Sequence, residues 1–117
     1  MAVTFTGASA TTLTTLLLNS QAGTTYTLAL SDADNTQVET TSSSAVTITV
    51  PPNADVAFPT GSQINIAQIG AGQITIVGGA GVTVNATPGL KFRAQYSTAV
   101  LIKHGTNSWL LAGDVTA

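Results

Sequence analysis

Residues 56–90 form a run of 35 positions without one charged side chain, and Met1–Ser31 is equally bare. In both stretches apolar residues alternate with Thr, Asn, Gln and Ser. Period-two alternation sends successive side chains to opposite faces of an extended strand, so the places where it is clean read as β-strand. A soluble domain ordinarily mixes both signs of charge over roughly a quarter to a third of its surface. Only 7% of the residues here are charged. The pattern therefore points to a subunit of an obligate assembly, whose strand faces are covered by neighbours.

A chain of 117 residues is one ordinary domain, long enough for a core of its own. Apolar residues make up 44% but aromatics only 5%, so the core must be built from Val, Ile, Leu and Ala. Such a core buries modest area per residue, which leaves subunit association as a natural source of stability. A net charge of −2 gives no footprint for nucleic acid or an anionic membrane. The absence of cysteine excludes a disulfide framework, a thiolate metal site and a cysteine nucleophile. Leu16-Leu17-Leu18 is too short for a signal core or a membrane span, so the expectation is a protein made and assembled in a cytoplasm.

The strands can be placed from alternation. Tyr26, Leu28 and Leu30 share one face of Thr25–Leu30, and Val46, Ile48 and Val50 share another before Pro51-Pro52. Ile64 and Ile66 alternate with Asn65, but position 68 is Gln and Ile69 follows one residue late, which predicts a bulge or a twist near Ala67-Gln68. Ile74 and Ile76 alternate within Gln73–Val77, Val82–Val84 follows, and Thr87-Pro88-Gly89 has the chemistry of a tight turn. The last pair, Thr98–Lys103 and Ser108–Ala112, is joined by His104-Gly105-Thr106-Asn107. Short strands with turns at this spacing predict an all-β, antiparallel β-sandwich or jelly roll over residues 24–117. Residues 1–23 read as an N-terminal arm, with a short strand at Val3–Phe5 and a short helix over Thr11–Asn19, where Leu13, Leu16 and Leu17 have helical spacing.

No constellation assembles an active site. His104 is the only histidine and sits among turn residues, with no motif framing a nucleophile and an orienting acid around it. Asp32-Ala33-Asp34-Asn35-Thr36 has the alternating oxygen ligands of a calcium loop, but Gln37 and Ser43 stand where Gly and a bidentate Glu belong. An Asx turn accounts for it better. Gly70, Gly72, Gly78, Gly79 and Gly81 lie between strands and read as hairpin turns, because a phosphate cradle needs a helix after its loop. Trp109, within Trp-Leu-Leu-Ala, is expected in the core, and Tyr96 has the type of side chain that stacks on a sugar. Lys91, Arg93 and Lys103 cluster late in the chain as a basic rim. The reading is of a protein that is not an enzyme, with no cofactor, catalytic residue or metal ligand.

From about Thr24 onward the chain resembles a domain common in tailed-bacteriophage structural proteins. The resemblance is carried in order by Tyr26–Ala33, Val50-Pro51-Pro52-Asn53, Phe58–Ile64, Gly70–Gln73, Gly79–Val84, Leu90–Ser97, Leu101–Lys103 and Trp109–Asp114. It implies a small β-sandwich that trimerises on the virion. A capsid decoration (cement) protein is the function expected from it: a homotrimer on the outer surface of the phage head, assembled in the host cytoplasm and bridging major capsid protein subunits. Val3, Phe5, Leu13, Leu16, Leu17, Ile64 and Ile66 are the candidate capsid or subunit contacts, with Lys91, Arg93 and Lys103 as rim contacts. The alternative is a head-fibre, tail-fibre or baseplate tip module whose loops bind a host-surface glycan.

Overall fold

Val46, Ile48 and Val50 point into the protein while Thr47 and Thr49 between them point out, and the same alternation sets most of the strands. The computed structural model describes residues 15–117. Within them lie β1 (Leu17–Gln21), β2 (Thr25–Thr27), β3 (Thr36–Thr40), β4 (Val46–Val50), β5 (Gln63–Gln68) and β6 (Ile74–Gly78). They are followed by β7 (Thr83–Ala86), β8 (Lys91–Phe92), β9 (Thr98–Gly105), β10 (Ser108–Gly113) and β11 (Val115–Thr116). One turn of 3₁₀-helix, Leu30–Ala33, stands between β2 and β3.

The strands form two sheets, one in the order β1-β3-β5-β9-β10-β7 (sheet A) and one in the order β11-β8-β6-β4-β2 (sheet B). From β1 to β6 the chain alternates between the sheets, and each strand pairs in parallel with the one two places on. Thus β1/β2, β3/β4 and β5/β6 are three stacked coils of a solenoid-like arrangement. The β9–β10 hairpin then pairs antiparallel to β5, β8 pairs antiparallel to β6, and β7 and β11 complete the far edges.

The core lies between the sheets as stacked rows. Ile48 stands on Ile76, Val46 on Ile74, and Val38 on Ile66, all at 1% exposure or less. Burying one such side chain stabilises the fold by roughly 1.5–3 kcal/mol. Trp109, Phe58 and Phe92 fill the capped end, where the rings of Phe58 and Trp109 meet edge to face at 5.3 Å.

All-β structure in two sheets is thus as expected, whereas the antiparallel sandwich or jelly roll is not the observed topology. The glycine-bearing segments after β5 and β6 carry the chain from one sheet to the other, so they are crossovers and not hairpins. Only His104–Asn107 makes the expected hairpin, between β9 and β10. The helix expected over Thr11–Asn19 is not formed where the structure describes that span: Leu17–Asn19 belong to β1. Leu17 N donates to Asn35 O at 2.9 Å and Gln21 O accepts from Thr41 N at 3.0 Å, so pairing with β3 overrides the leucine spacing. Of the bulge or twist expected near Ala67-Gln68, no bulge interrupts β5, whose register is unbroken through those residues; just beyond, Ile69 N and Gly70 N both donate to Thr40 O at 2.9 Å. The alternation runs through, with Gln68 itself pointing inward at 1% exposure. Its Oε1 accepts from Ile74 N at 3.1 Å, so a glutamine in the core position ties β5 to β6. The strand expected at Val3–Phe5 lies outside the described residues, as does Leu13.

Candidate assembly surfaces

The outward-facing positions of sheet A are set by the same alternation that builds the core. One row crosses five strands as Leu18, Gln37, Asn65, Val100 and Ala112, and a second crosses four as Gln63, Ile102, Leu110 and Asn85. Neighbouring strands lie about 4.8 Å apart, so these rows make a broad surface of aliphatic and amide side chains. Glu39 is its one carboxylate, and Gln37 Nε2 donates to it at 2.8 Å. Leu18 and Leu110 are exposed, and a shallow depression lined by Gln37, Asn65, Val100 and Ala112 runs along the middle.

The outer face of sheet B is chemically different. Its rows read Thr25, Thr47, Thr75, Lys91, Thr116 and Thr27, Thr49, Val77. Threonine stacked on threonine across parallel strands favours the strand conformation and leaves a hydroxyl–methyl surface. Lys91 is the single charge in these rows, exposed as expected of a rim residue.

At the β1/β2 end, Leu16, Leu17 and Leu18 are exposed at 43%, 65% and 62%, and Leu17 occupies the inward-facing register position above Thr36. Beside them is a polar knot. Tyr26 Oη donates to Asp32 Oδ2 at 2.6 Å, Asn19 Nδ2 donates to Asp32 Oδ1 at 2.9 Å, and Ala29 N donates to Oδ2 at 2.8 Å. Asp32 is 1% exposed, and the Tyr26 hydroxyl is pushed up to about 12, first by its own partial burial and then by its hydrogen bond to Asp32. Both carboxylate oxygens of Asp32, the first residue of the calcium-like segment, are therefore taken by protein donors, and no group of three metal-ligating side chains occurs among the described residues.

The basic cluster is divided three ways. Lys103 is 2% exposed, with Nζ donating to Asn53 Oδ1 at 2.6 Å and to Phe58 O at 2.7 Å, and it lies 6.0 Å from the Trp109 ring centre. It fastens the β4–β5 connection to β9 and is not a rim contact. Arg93 makes a two-pronged pair with Asp114, Nε to Oδ1 at 2.7 Å and Nη2 to Oδ2 at 2.8 Å. Hydrogen bonds from Arg93 and Ser97 hold the Asp114 carboxyl below its ordinary range. This pair pins the loop that presents Tyr96, 69% exposed with φ of 70°.

Among the remaining candidates, Ile64 and Ile66 are core residues at 0% and 1% exposure, so they make no outward contact. Leu16 and Leu17 are at the surface, while Val3, Phe5 and Leu13 lie outside the described residues. Trp109 is in the core. His104 is exposed, with Ser108 Oγ at 3.0 Å from its Nε2; Asp114 is engaged with Arg93. The surface residues missed by the sequence reading, Val100, Ile102 and Leu110, share one parity of the β9–β10 alternation with exposed or half-exposed neighbours. Comparison with protein-family models, curated proteins and solved structures gives no match to this chain.

Proposed function

We propose that this chain is a structural protein of the tailed-bacteriophage virion, a capsid decoration subunit that sits on the outer head surface as a homotrimer and bridges major capsid protein subunits. The observation that carries the reading is the outer face of sheet A, a multi-stranded, nearly uncharged surface of Leu18, Val100, Ile102 and Leu110 among amides. Such a face is suited to broad contact with a protein lattice or with copies of itself, since interface cores are depleted in charge. The resemblance of residues 24–117 to phage structural domains supplies the class of partner. Quantifying the chain against the major capsid protein in purified virions tests it: hundreds of copies in simple ratio are expected, and a handful per particle would contradict lattice-wide decoration.

A second reading, a fibre or baseplate tip module that binds a host-surface glycan, draws support from Tyr96. Its ring is exposed on a loop held by Arg93 and Asp114, as a sugar-stacking platform requires. Calorimetric titration with host-surface glycans separates the two readings, with heat that disappears in Tyr96→Ala favouring the tip module.

A further inference from the structure

A two-fold contact joins one patch to its own copy, whereas a closed ring of three joins two different patches of the same chain, head to tail. The shallow depression on the outer face of sheet A, lined by Gln37, Asn65, Val100 and Ala112, has the shape of a receiving patch. A ring built on it needs a projecting patch elsewhere on the chain. Tyr96 is the one exposed aromatic among the described residues, and its φ of 70° lies in the left-handed region that a bulky side chain seldom adopts. Such a conformation persists only where its surroundings over-determine it, and such residues gather at binding sites. Here Tyr96 N donates to Gln68 O at 2.6 Å, Gln95 Nε2 to Ile69 O at 3.0 Å and Ala94 N to Ser97 Oγ at 3.0 Å. Ser97 Oγ donates in turn to Asp114 Oδ2, which Arg93 also holds.

We propose that Tyr96 is the knob of the trimer, seated in the sheet-A depression of the next copy with its hydroxyl among the Gln37 and Asn65 amides. The inference rests on the homotrimer reading and names its contact. A ring fixed before docking loses little freedom on binding, and tyrosine is enriched among the residues that anchor interfaces. Its apolar body and polar tip match a lining of aliphatic and amide side chains. Charge agrees. Residues 91–97 carry Lys91 and Arg93, of which Asp114 neutralises one, while the receiving face carries Glu39 as its one carboxylate. Opposite signs on the two patches favour the head-to-tail contact over either patch meeting its own copy.

Light scattering on the full chain over a dilution series tests it. Tyr96→Phe should assemble as wild type does, whereas Tyr96→Ala should need at least about thirtyfold more protein to reach half-trimer. Photo-cross-linking locates the contact: p-benzoylphenylalanine replaces Tyr96, and light- and heavy-isotope copies are mixed and irradiated. Cross-links between isotopes should join position 96 to the β3, β5, β9 or β10 residues that line the depression. A Tyr96→Ala protein that assembles like wild type, with or without loss of glycan-binding heat, would overturn the contact and leave the homotrimer standing. Cross-links that fall elsewhere or do not form would do the same. A wild type that is monomeric throughout would overturn the homotrimer reading and the contact with it.

Discussion

Tyr26 Oη lies 2.6 Å from Asp32 Oδ2, and the pair closes the polar knot at the β1/β2 end of the stack. The hydroxyl ionises near 10 in the unfolded chain and at about 12 in the folded protein. A group raised in this way contributes its full stabilisation below pH 10 and loses it as pH rises through about 12. Tyr26→Phe removes the donor to Asp32 and is expected to cost about 1–2 kcal/mol at neutral pH. Urea unfolding at stepwise pH should show the gap between wild type and Tyr26→Phe constant up to pH 10 and closing above it. A gap that stays open at pH 12 would refute the assignment.

Lys103 is expected to be structural. Lys103→Met keeps the aliphatic stem against Trp109 but strips the donors from Asn53 Oδ1 and Phe58 O. Leaving two largely buried acceptors unpaired costs about 2–4 kcal/mol. Lys91→Met, at an exposed position, serves as control and should fall within about 0.5 kcal/mol of wild type. Thermal or urea melts of the two variants check the difference.

Thr40 carries a contrasting expectation. Its Oγ1 is buried without a hydrogen-bond partner among the described residues, in the row that stacks Gln21, Thr40 and Gln68. Valine has nearly the same shape without the hydroxyl, so Thr40→Val removes an unmatched polar atom and is expected to stabilise the protein by about 1 kcal/mol. Loss of stability in equilibrium unfolding would show that the hydroxyl has a partner after all.

Much of the strand content was legible because it depends on local alternation. Val46, Ile48, Val50, Ile74 and Ile76 announce their strands and their buried face. Pairing direction was not legible, because a glycine-rich segment reads alike whether it reverses a chain within one sheet or carries it across to another. What distinguishes Gly70 and Gly72 is tertiary: a Cβ on them would lie 2.3 Å from Ser42 O and 1.8 Å from Ser44 O, where successive crossovers stack. Lys103 was readable in principle, since it shares parity with Ala99 and Leu101, both buried. Charge argued for the rim and period argued for the core; two neutral oxygens at bonding distance let the period prevail. Nothing local joins Arg93 to Asp114, because the pairing of β8 with β11 brings them together.

The central claim, that the nearly uncharged outer face of sheet A is where this protein meets its neighbours, is tested most directly by solution mass. Light scattering after size exclusion should give wild type about 35 kDa, three times the 11.7 kDa chain. A Val100→Asp/Leu110→Asp double variant, both positions outward-facing, should stay folded by circular dichroism and run as the monomer. A monomeric wild type at tens of micromolar, or a trimer that survives both aspartates, would contradict the account.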